Sequence, residues 1–236
     1  MPTVKLSLII PCYNEAANLP LLLERCNSLS ENNDIEVILV DNGSTDNSPE
    51  VLAQLLPNLP HCRSVRVPIN QGYGYGILSG LKAAKGELLA WTHADMQTDP
   101  KDVLRGMKIF EQQKSNQIYV KGRRIKRPLA DVFFTVGMSI FETFLLQTRL
   151  WDINAQPNIF SKAFFETWEN PPNDFSLDLY VYFTARAQGV PVYRFPVEFG
   201  ERAHGVSHWN INLAAKMKFI RRTIDFSFEL KKRLSK

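Results

Sequence analysis

His93, Asp95 and Gln97 stand at alternate positions directly after an apolar run, in the segment Leu88–Pro100 that reads LLAWTHADMQTDP. Three oxygen or nitrogen donors at the tip of a strand suit cation chemistry. Asp95 with the Gln97 carbonyl matches a hard divalent ion, which takes oxygen ligands and completes its shell with substrate phosphates. A plainer role fits the same residues, with Asp95 and Thr98 capping a following helix. Two other apolar runs end in polar tips. Lys5–Ile10 gives way to Pro11-Cys12-Tyr13-Asn14-Glu15, and Ile35–Val40 to Asp41-Asn42-Gly43-Ser44-Thr45-Asp46. In a parallel sheet all three tips share one edge, the edge where open α/β sheets keep their ligands. Carboxylates there can accept from ribose hydroxyls or base N–H groups, and Tyr13 can pack on a base. Taken singly, each tip is also satisfied by loop-closing hydrogen bonds.

The elements that must position these tips are legible from periodicity. Strands are expected at Lys5–Ile10, Ile35–Val40, Ser64–Val67, Leu88–Thr92 and Ile118–Lys121. Helices are expected between them at Ala17–Ser30, Asn47–Leu56, Tyr75–Ala84 and Lys101–Gln113. This alternation predicts an α/β fold with a mostly parallel sheet and crossover helices. The second half reads as a Phe-rich helical stripe at Leu129–Leu150, a helix at Ser176–Gln188, a strand at Pro191–Phe199 and a basic helix at Ile211–Leu234. No Gly-, Ser- or Pro-rich linker separates the halves. A single domain over 1–236 is therefore expected, with a nucleotide-binding half at 1–122 and an acceptor-binding half at 123–236.

Net charge is +4, unevenly spread. Lys121, Arg123, Arg124, Lys126 and Arg127 crowd into seven residues, and eight Lys or Arg follow Asn210 against Asp225 and Glu229. Such asymmetry points to an anionic partner, with a solvated helix face as the plainer reading. Cys12, Cys26 and Cys62 are odd in number and lack zinc-ligand spacing, which suits reduced thiols in a cytoplasmic protein. No signal peptide is legible at the start, and Val132–Leu146 is too short and carries Glu142, so no bilayer span is expected. The basic cluster beside the Phe-rich stripe has the form of an interfacial anchor, and a core or dimer helix is the competing reading.

Together the segments SLIIPCYNEAANL (Ser7–Leu19), VILVDNGSTDNS (Val37–Ser48), NQGYGYGILSGLKAAKGE (Asn70–Glu87) and HADMQTDP (His93–Pro100) resemble family 2 glycosyltransferases of the GT-A fold. Val120–Arg124, Asp152–Phe160, Phe175–Gly189 and Glu201–Trp209 extend the resemblance towards the dolichyl- or polyprenyl-phosphate sugar synthases. The resemblance implies inverting transfer from a nucleotide diphosphate sugar with Mg²⁺ or Mn²⁺. It places Pro11, Tyr13, Glu15, Asp41 and the neighbouring Ala94 at the nucleotide, and Asp95 and Gln97 at the metal with His93 beside them. Arg124 and Arg202 would meet phosphate, as the planar guanidinium is suited to do. His93 stands where the family has Asp, and His208 where it has Lys. The first change removes a negative charge from the metal site, which either weakens Mg²⁺ binding or favours Mn²⁺, which accepts imidazole better. The second makes the charge at the phosphate pH-dependent.

The acceptor decides the rest of the chemistry. A polyprenyl phosphate, with a second pKa of about 6, needs no strong base. A sugar hydroxyl needs one, for which Asp178 is the first candidate and Asp174 the second, a helix-surface or capping carboxylate being the plainer reading of Asp178. Expected partners are the donor, the lipid phosphate, the cytoplasmic face of a membrane as a peripheral surface, and a second copy of the chain; nucleic acid is not among them. Two rivals remain. A dinucleotide oxidoreductase fails because Ile77 occupies the last glycine position of G-x-G-x-x-G. A non-catalytic nucleotide-sugar binder rests on His93 and His208.

Overall fold

Runs of buried β-branched and leucine side chains build a seven-stranded sheet in the order β3-β2-β1-β4-β6-β5-β7. The computed structural model describes residues 4–29, 34–204 and 213–234. Its strands are β1 (Leu6–Cys12), β2 (Ile35–Asn42), β3 (Cys62–Val67), β4 (Leu88–Trp91), β5 (Tyr119–Ile125), β6 (Asn158–Ser161) and β7 (Val192–Glu198). The helices are α1 (Leu19–Asn27), α2 (Ser48–Leu55), α3 (Tyr73–Ala83), α4 (Asp102–Gln113), α5 (Leu129–Leu146), α6 (Lys162–Glu166), α7 (Leu177–Ala187) and α8 (Leu213–Leu234). β1, β2, β3 and β4 pair in parallel, as does β5 with β7. All eight residues of β2 are buried, as expected of a parallel strand covered on both faces. One apolar layer joins the sheet to α1, α2 and α4; the other joins it to α3, α6, α7 and parts of α5 and α8.

β6 departs from the sequence reading. It is antiparallel to both neighbours, β4 and β5. Neither β6 nor α6 is visible in the periodicity: both are short, and β6 opens on the polar Asn158. The Phe-rich helix also stops earlier than its apolar stripe. Gln147 turns left-handed, with φ 50°, and the Thr148 N–H closes on the Thr143 carbonyl at 3.2 Å. Leu150 is buried beyond the helix end.

α5 turns a wide apolar face outward, with Leu129 and Phe133 77% exposed and Phe144 73%. Among the described residues no helix is long and apolar enough to cross a membrane. On the covered side α5 packs against α8. There Ser227 Oγ lies 2.7 Å from both Glu142 Oε1 and the Thr223 carbonyl. One hydroxyl proton cannot serve both acceptors, so the contact is satisfied in full when Glu142 carries a proton and donates to Ser227. Burial raises the Glu142 pKa to about 7, against a smaller opposing pull from Ser227.

This carboxyl makes stability pH-dependent. Its pKa is higher in the folded chain than the ordinary 4.5, so its contribution is complete below that value and is lost as pH climbs to about 7. The loss amounts to about 3 kcal/mol at 1.36 kcal/mol per unit. Glu142→Gln is expected to remove this slope, so that urea melts at pH 5 and pH 8 differ less in the variant than in the wild type.

Candidate active site

The carboxyl ends of β1 and β4 open into a cavity of about 790 Å³. Pro11, Tyr13 and Glu15 line it from the β1 tip, and His93, Ala94, Asp95 and Gln97 from the β4 tip. Arg124, Asp174, Asp178 and Arg202 line it from the second half. Asp41 is not part of the wall; it is buried at the end of β2 beside Cys12, its register partner in β1. Its Oδ1 accepts from the Ser44 N–H at 3.0 Å, and Arg66 lies 3.7 Å from Oδ2. The neighbouring Asn42 lines the cavity in its place. His208 lies outside the described residues.

Asp95 is nearly buried and holds two contacts. The Gln97 N–H donates to Oδ1 at 3.1 Å across left-handed Met96 (φ 59°), while Arg202 Nη2 sits 2.9 Å from Oδ2. Gln97 binds the segment that carries Arg202: its carbonyl accepts from the Gly200 N–H at 2.8 Å and its side-chain amide donates to the Gly200 carbonyl at 3.1 Å. Glu15 shares this charge environment. Burial raises its pKa; Asn18 lowers it through a hydrogen bond, the Asp95 charge raises it, and Arg202 lowers it.

His93 is stacked rather than free-standing. Its ring lies 5.5 Å from that of Tyr73 at 23°, and Tyr73 lies 4.5 Å from Phe175 at 9°. Glycines allow this approach. A Cβ on Gly74 would sit 2.6 Å from the Pro172 carbonyl, and one on Gly72, whose φ is 111°, would strike the Asn173 carbonyl. Among the described residues no three His, Cys, Asp or Glu side chains converge as a metal cluster.

A second cationic group takes Arg124 and Arg127 from the basic run and adds Arg194 and Asp152, which spacing did not connect to it. Asp152 accepts from the Arg124 backbone N–H at 2.9 Å and from Arg124 Nε at 2.8 Å. Arg127 and Arg194 approach it to 3.9 and 3.8 Å. Burial alone would push the Asp152 pKa up, but Arg124 and Arg194 outweigh it and hold the carboxyl below its usual range. Three guanidiniums thus face one carboxylate, leaving a surplus of two positive charges. Arg124 and Arg127 border the cavity, with the Phe199 ring 5.2 and 5.5 Å from their guanidinium carbons.

Asp178 is 1% exposed, not the helix-surface carboxylate of the plainer sequence reading. It borders the cavity while Oδ1 accepts from Gln156 Nε2 at 2.9 Å and Asn158 Nδ2 at 3.1 Å. Asp174, the second candidate, lies 3.5 Å from Arg222 of α8.

The sequence matches the model of glycosyl transferase family 2 over residues 7–177, well over half of the chain. The chain belongs to this family. It is 39% identical over 114 residues to an undecaprenyl-phosphate 4-deoxy-4-formamido-L-arabinose transferase of Photorhabdus laumondii, a match covering 46% of this chain and 34% of that protein. A protein of the same name from Aeromonas hydrophila is 40% identical over 105 residues, covering 42% and 31%. The matched part spans about a third of the length of these curated relatives. Among solved structures, the glucosyl-3-phosphoglycerate synthase of Mycobacterium tuberculosis with Mn²⁺, UDP and glucosyl-3-phosphoglycerate superposes with a TM-score of 0.69 at 16% identity. That superposition covers 96% of this chain and 79% of that one. A mannosyltransferase from Pyrobaculum calidifontis with GDP-mannose and Mn²⁺ gives 0.65 at 18%, covering 92% and 64%. The family 2 chain therefore has the GT-A fold of these neighbours.

The arginine cluster makes Asp152 a large contributor to stability. Asp152→Ala leaves three guanidiniums without their shared anion and is expected to cost roughly 3–5 kcal/mol. Because the wild-type pKa is depressed, this stabilisation exists above the ordinary carboxylate value and is lost as pH falls through the folded one. Urea melts should therefore show a large gap between variant and wild type at pH 7 that narrows as pH falls below the ordinary carboxylate range.

Proposed function

We propose that this protein moves a sugar, with inversion, from a nucleotide diphosphate donor to a polyprenyl phosphate at a membrane surface. The observation that carries the reading is the pairing, in one cavity, of an Asp95–Arg202 station with the arginine surplus at Asp152. A donor diphosphate and an acceptor phosphate are two anions that need two such stations. The exposed Phe-rich face of α5, which begins directly after the basic segment, supports a lipid acceptor. So do the names of the undecaprenyl-phosphate relatives.

Asp95 fits a divalent cation of the kind that takes one or two carboxylates and draws its other ligands from phosphate and water. Gln97 offers an amide oxygen beside it, and His93 lines the same wall. When bound, such a cation offsets the charge of the departing diphosphate. Arg202, already on Asp95, is placed to share that task. Arg124 and Arg127 hold the acceptor phosphate, which is largely ionised at neutral pH and attacks without a strong base. As the new anomeric C–O bond forms, the bond to the diphosphate oxygen breaks on the opposite face, which inverts the centre. Asp178 faces the sugar as a fixed negative charge that stabilises positive character at that carbon.

A second reading keeps the donor and changes the acceptor to a saccharide hydroxyl, with Asp178 as general base. The placement of Asp178 on the cavity wall is the observation that favours it. A non-catalytic binder is distinguished from both by turnover.

UDP or GDP is expected to raise the melting temperature more with Mn²⁺ than without, and Asp95→Ala to abolish the metal-dependent part. Transfer to undecaprenyl phosphate should fall roughly 100-fold or more in the same variant. Metal-independent nucleotide binding with no transfer in the wild type would sink the proposal. Phe133→Asp with Phe144→Asp should release the protein from anionic vesicles in a flotation assay while leaving nucleotide binding intact. Unchanged flotation would remove α5 as the docking face.

A further inference from the structure

The sheet register lines up Trp91 of β4, Asn158 of β6, Lys121 of β5 and Arg194 of β7 as successive partners. Lys121 lies inside this row. It is fully buried and absent from the cavity wall, yet its ammonium stands 3.8 Å from Asp178. It donates to the Ala155 carbonyl at 2.7 Å and to Asn158 Oδ1 at 2.6 Å. Tyr119 donates its hydroxyl to the same oxygen.

An ammonium can only donate. Its contact therefore fixes which end of the Asn158 amide is the oxygen, and turns Nδ2 away from Lys121. That nitrogen donates to Asp178 Oδ1 at 3.1 Å and to Gln156 Oε1 at 2.6 Å. With its oxygen so engaged, Gln156 in turn presents Nε2 to Asp178 at 2.9 Å and to the Tyr73 hydroxyl at 3.2 Å. The polarity of the relay runs one way, from Lys121 through two amides to the carboxylate. Without the lysine, only the Tyr119 hydroxyl meets that oxygen, and because a hydroxyl can accept as well as donate, Asn158 can flip and set an oxygen against Asp178.

Resting on the catalytic part given to Asp178 above, we propose that Lys121 is a positioning residue that acts through Asn158 and Gln156. It sets a positive charge beside the Asp178 carboxylate and keeps its amide partners turned donor-first. Charge balance agrees. Groups facing Lys121 include Asp178 and the Tyr182 ring from α7, Arg194 from β7, Arg124 further along its own strand, and Asp152 from the loop before β6. Burial lowers the Lys121 pKa to about 7, Asp178 and Asp152 raise it, and Arg194 and Arg124 lower it. At acid pH Lys121 is therefore charged.

The test is a cycle of Lys121→Met, Asp178→Asn and the double variant, read as kcat/KM against pH for transfer to undecaprenyl phosphate, with each profile divided by that of Asp178→Asn so that the ionisation of the acceptor phosphate, common to all, cancels. Lys121→Met is expected to move the acid limb of the profile upward by about one unit or more, the effect of removing an opposite charge at this range. In the Asp178→Asn background the same change should add nothing. An acid limb unmoved by Lys121→Met, or two losses that multiply while Asp178→Asn itself is impaired, overturns this inference and leaves the role of Asp178 standing. A fully active Asp178→Asn overturns that role and this inference with it. Should Lys121→Met fail to fold, ¹³Cε-lysine NMR on the wild type and Asp178→Asn reads the same coupling from the other side. One lysine should titrate far below the rest, and losing the carboxylate should lower its pKa by about one unit or more. An unchanged titration overturns the inference.

Discussion

Antiparallel β6, held between β4 and β5, is the constraint on which the site depends. In a parallel sheet every strand leaves at the carboxyl edge and the chain must cross back before it can return. A strand running the other way enters at that edge. The residues just before β6 and at its start are thereby delivered beside the tips of β1 and β4: Asp152, Gln156 and Asn158. Each then anchors something the first half cannot supply. Asp152 collects the arginines, and Gln156 with Asn158 fixes Asp178. Gly122 marks how close the chains come, since a Cβ there would overlap the Gln156 carbonyl.

The charges around the cavity are organised by the same strand. Buried guanidiniums are costly unless an anion and hydrogen bonds meet them. Asp152 meets three with one carboxylate, which holds the cluster together without neutralising it. On the β4 side Asp95 and Arg202 cancel one another. The wall thus combines a balanced station and a cationic one, and Phe199, Gly200 and Arg202 connect them. Phe199 packs on Arg124 and Arg127, Gly200 binds Gln97, and Arg202 reaches Asp95. Movement of this short segment would disturb both stations at once.

What the sequence made legible follows from which forces are local. The tips of β1 and β4 end buried runs of almost wholly apolar residues, so the amino-acid pattern by itself assigns Pro11, Tyr13, Glu15, Asp95 and Gln97 to one edge. Asp41 shows the limit of that logic. It shares the edge through register, but its neighbour Asn42 is the one that lines the cavity. β6 was illegible because four residues beginning with Asn carry no period. Partners far apart in sequence hid the Asp152 cluster, Arg194 among them, and helix periodicity alone could not distinguish a buried Asp178 from a surface one. Signals existed for part of this. DIN at Asp152–Asn154 follows an apolar stripe that outlasts its helix, and a lysine inside the strand run YVKG requires a buried partner.

His93 is where these arguments meet. A carboxylate at this position would add a second negative charge beside Asp95, and the protein instead presents a ring stacked on Tyr73 and, through it, on Phe175. The stack ties the β4 tip to the 172–175 segment, which Gly72 and Gly74 admit against the start of α3. A carboxylate could not join such a stack and would repel Asp95 at close range. The geometry thus trades anionic charge for a fixed contact between the two halves of the wall. Arg202 balances Asp95, which leaves Glu15 as the other carboxylate in this charge environment. In the proposed reaction, a cation at Asp95 would draw on the donor diphosphate as well as on these carboxylates. Metal and donor would enter together, with the aromatic stack holding the β4 tip in place for both.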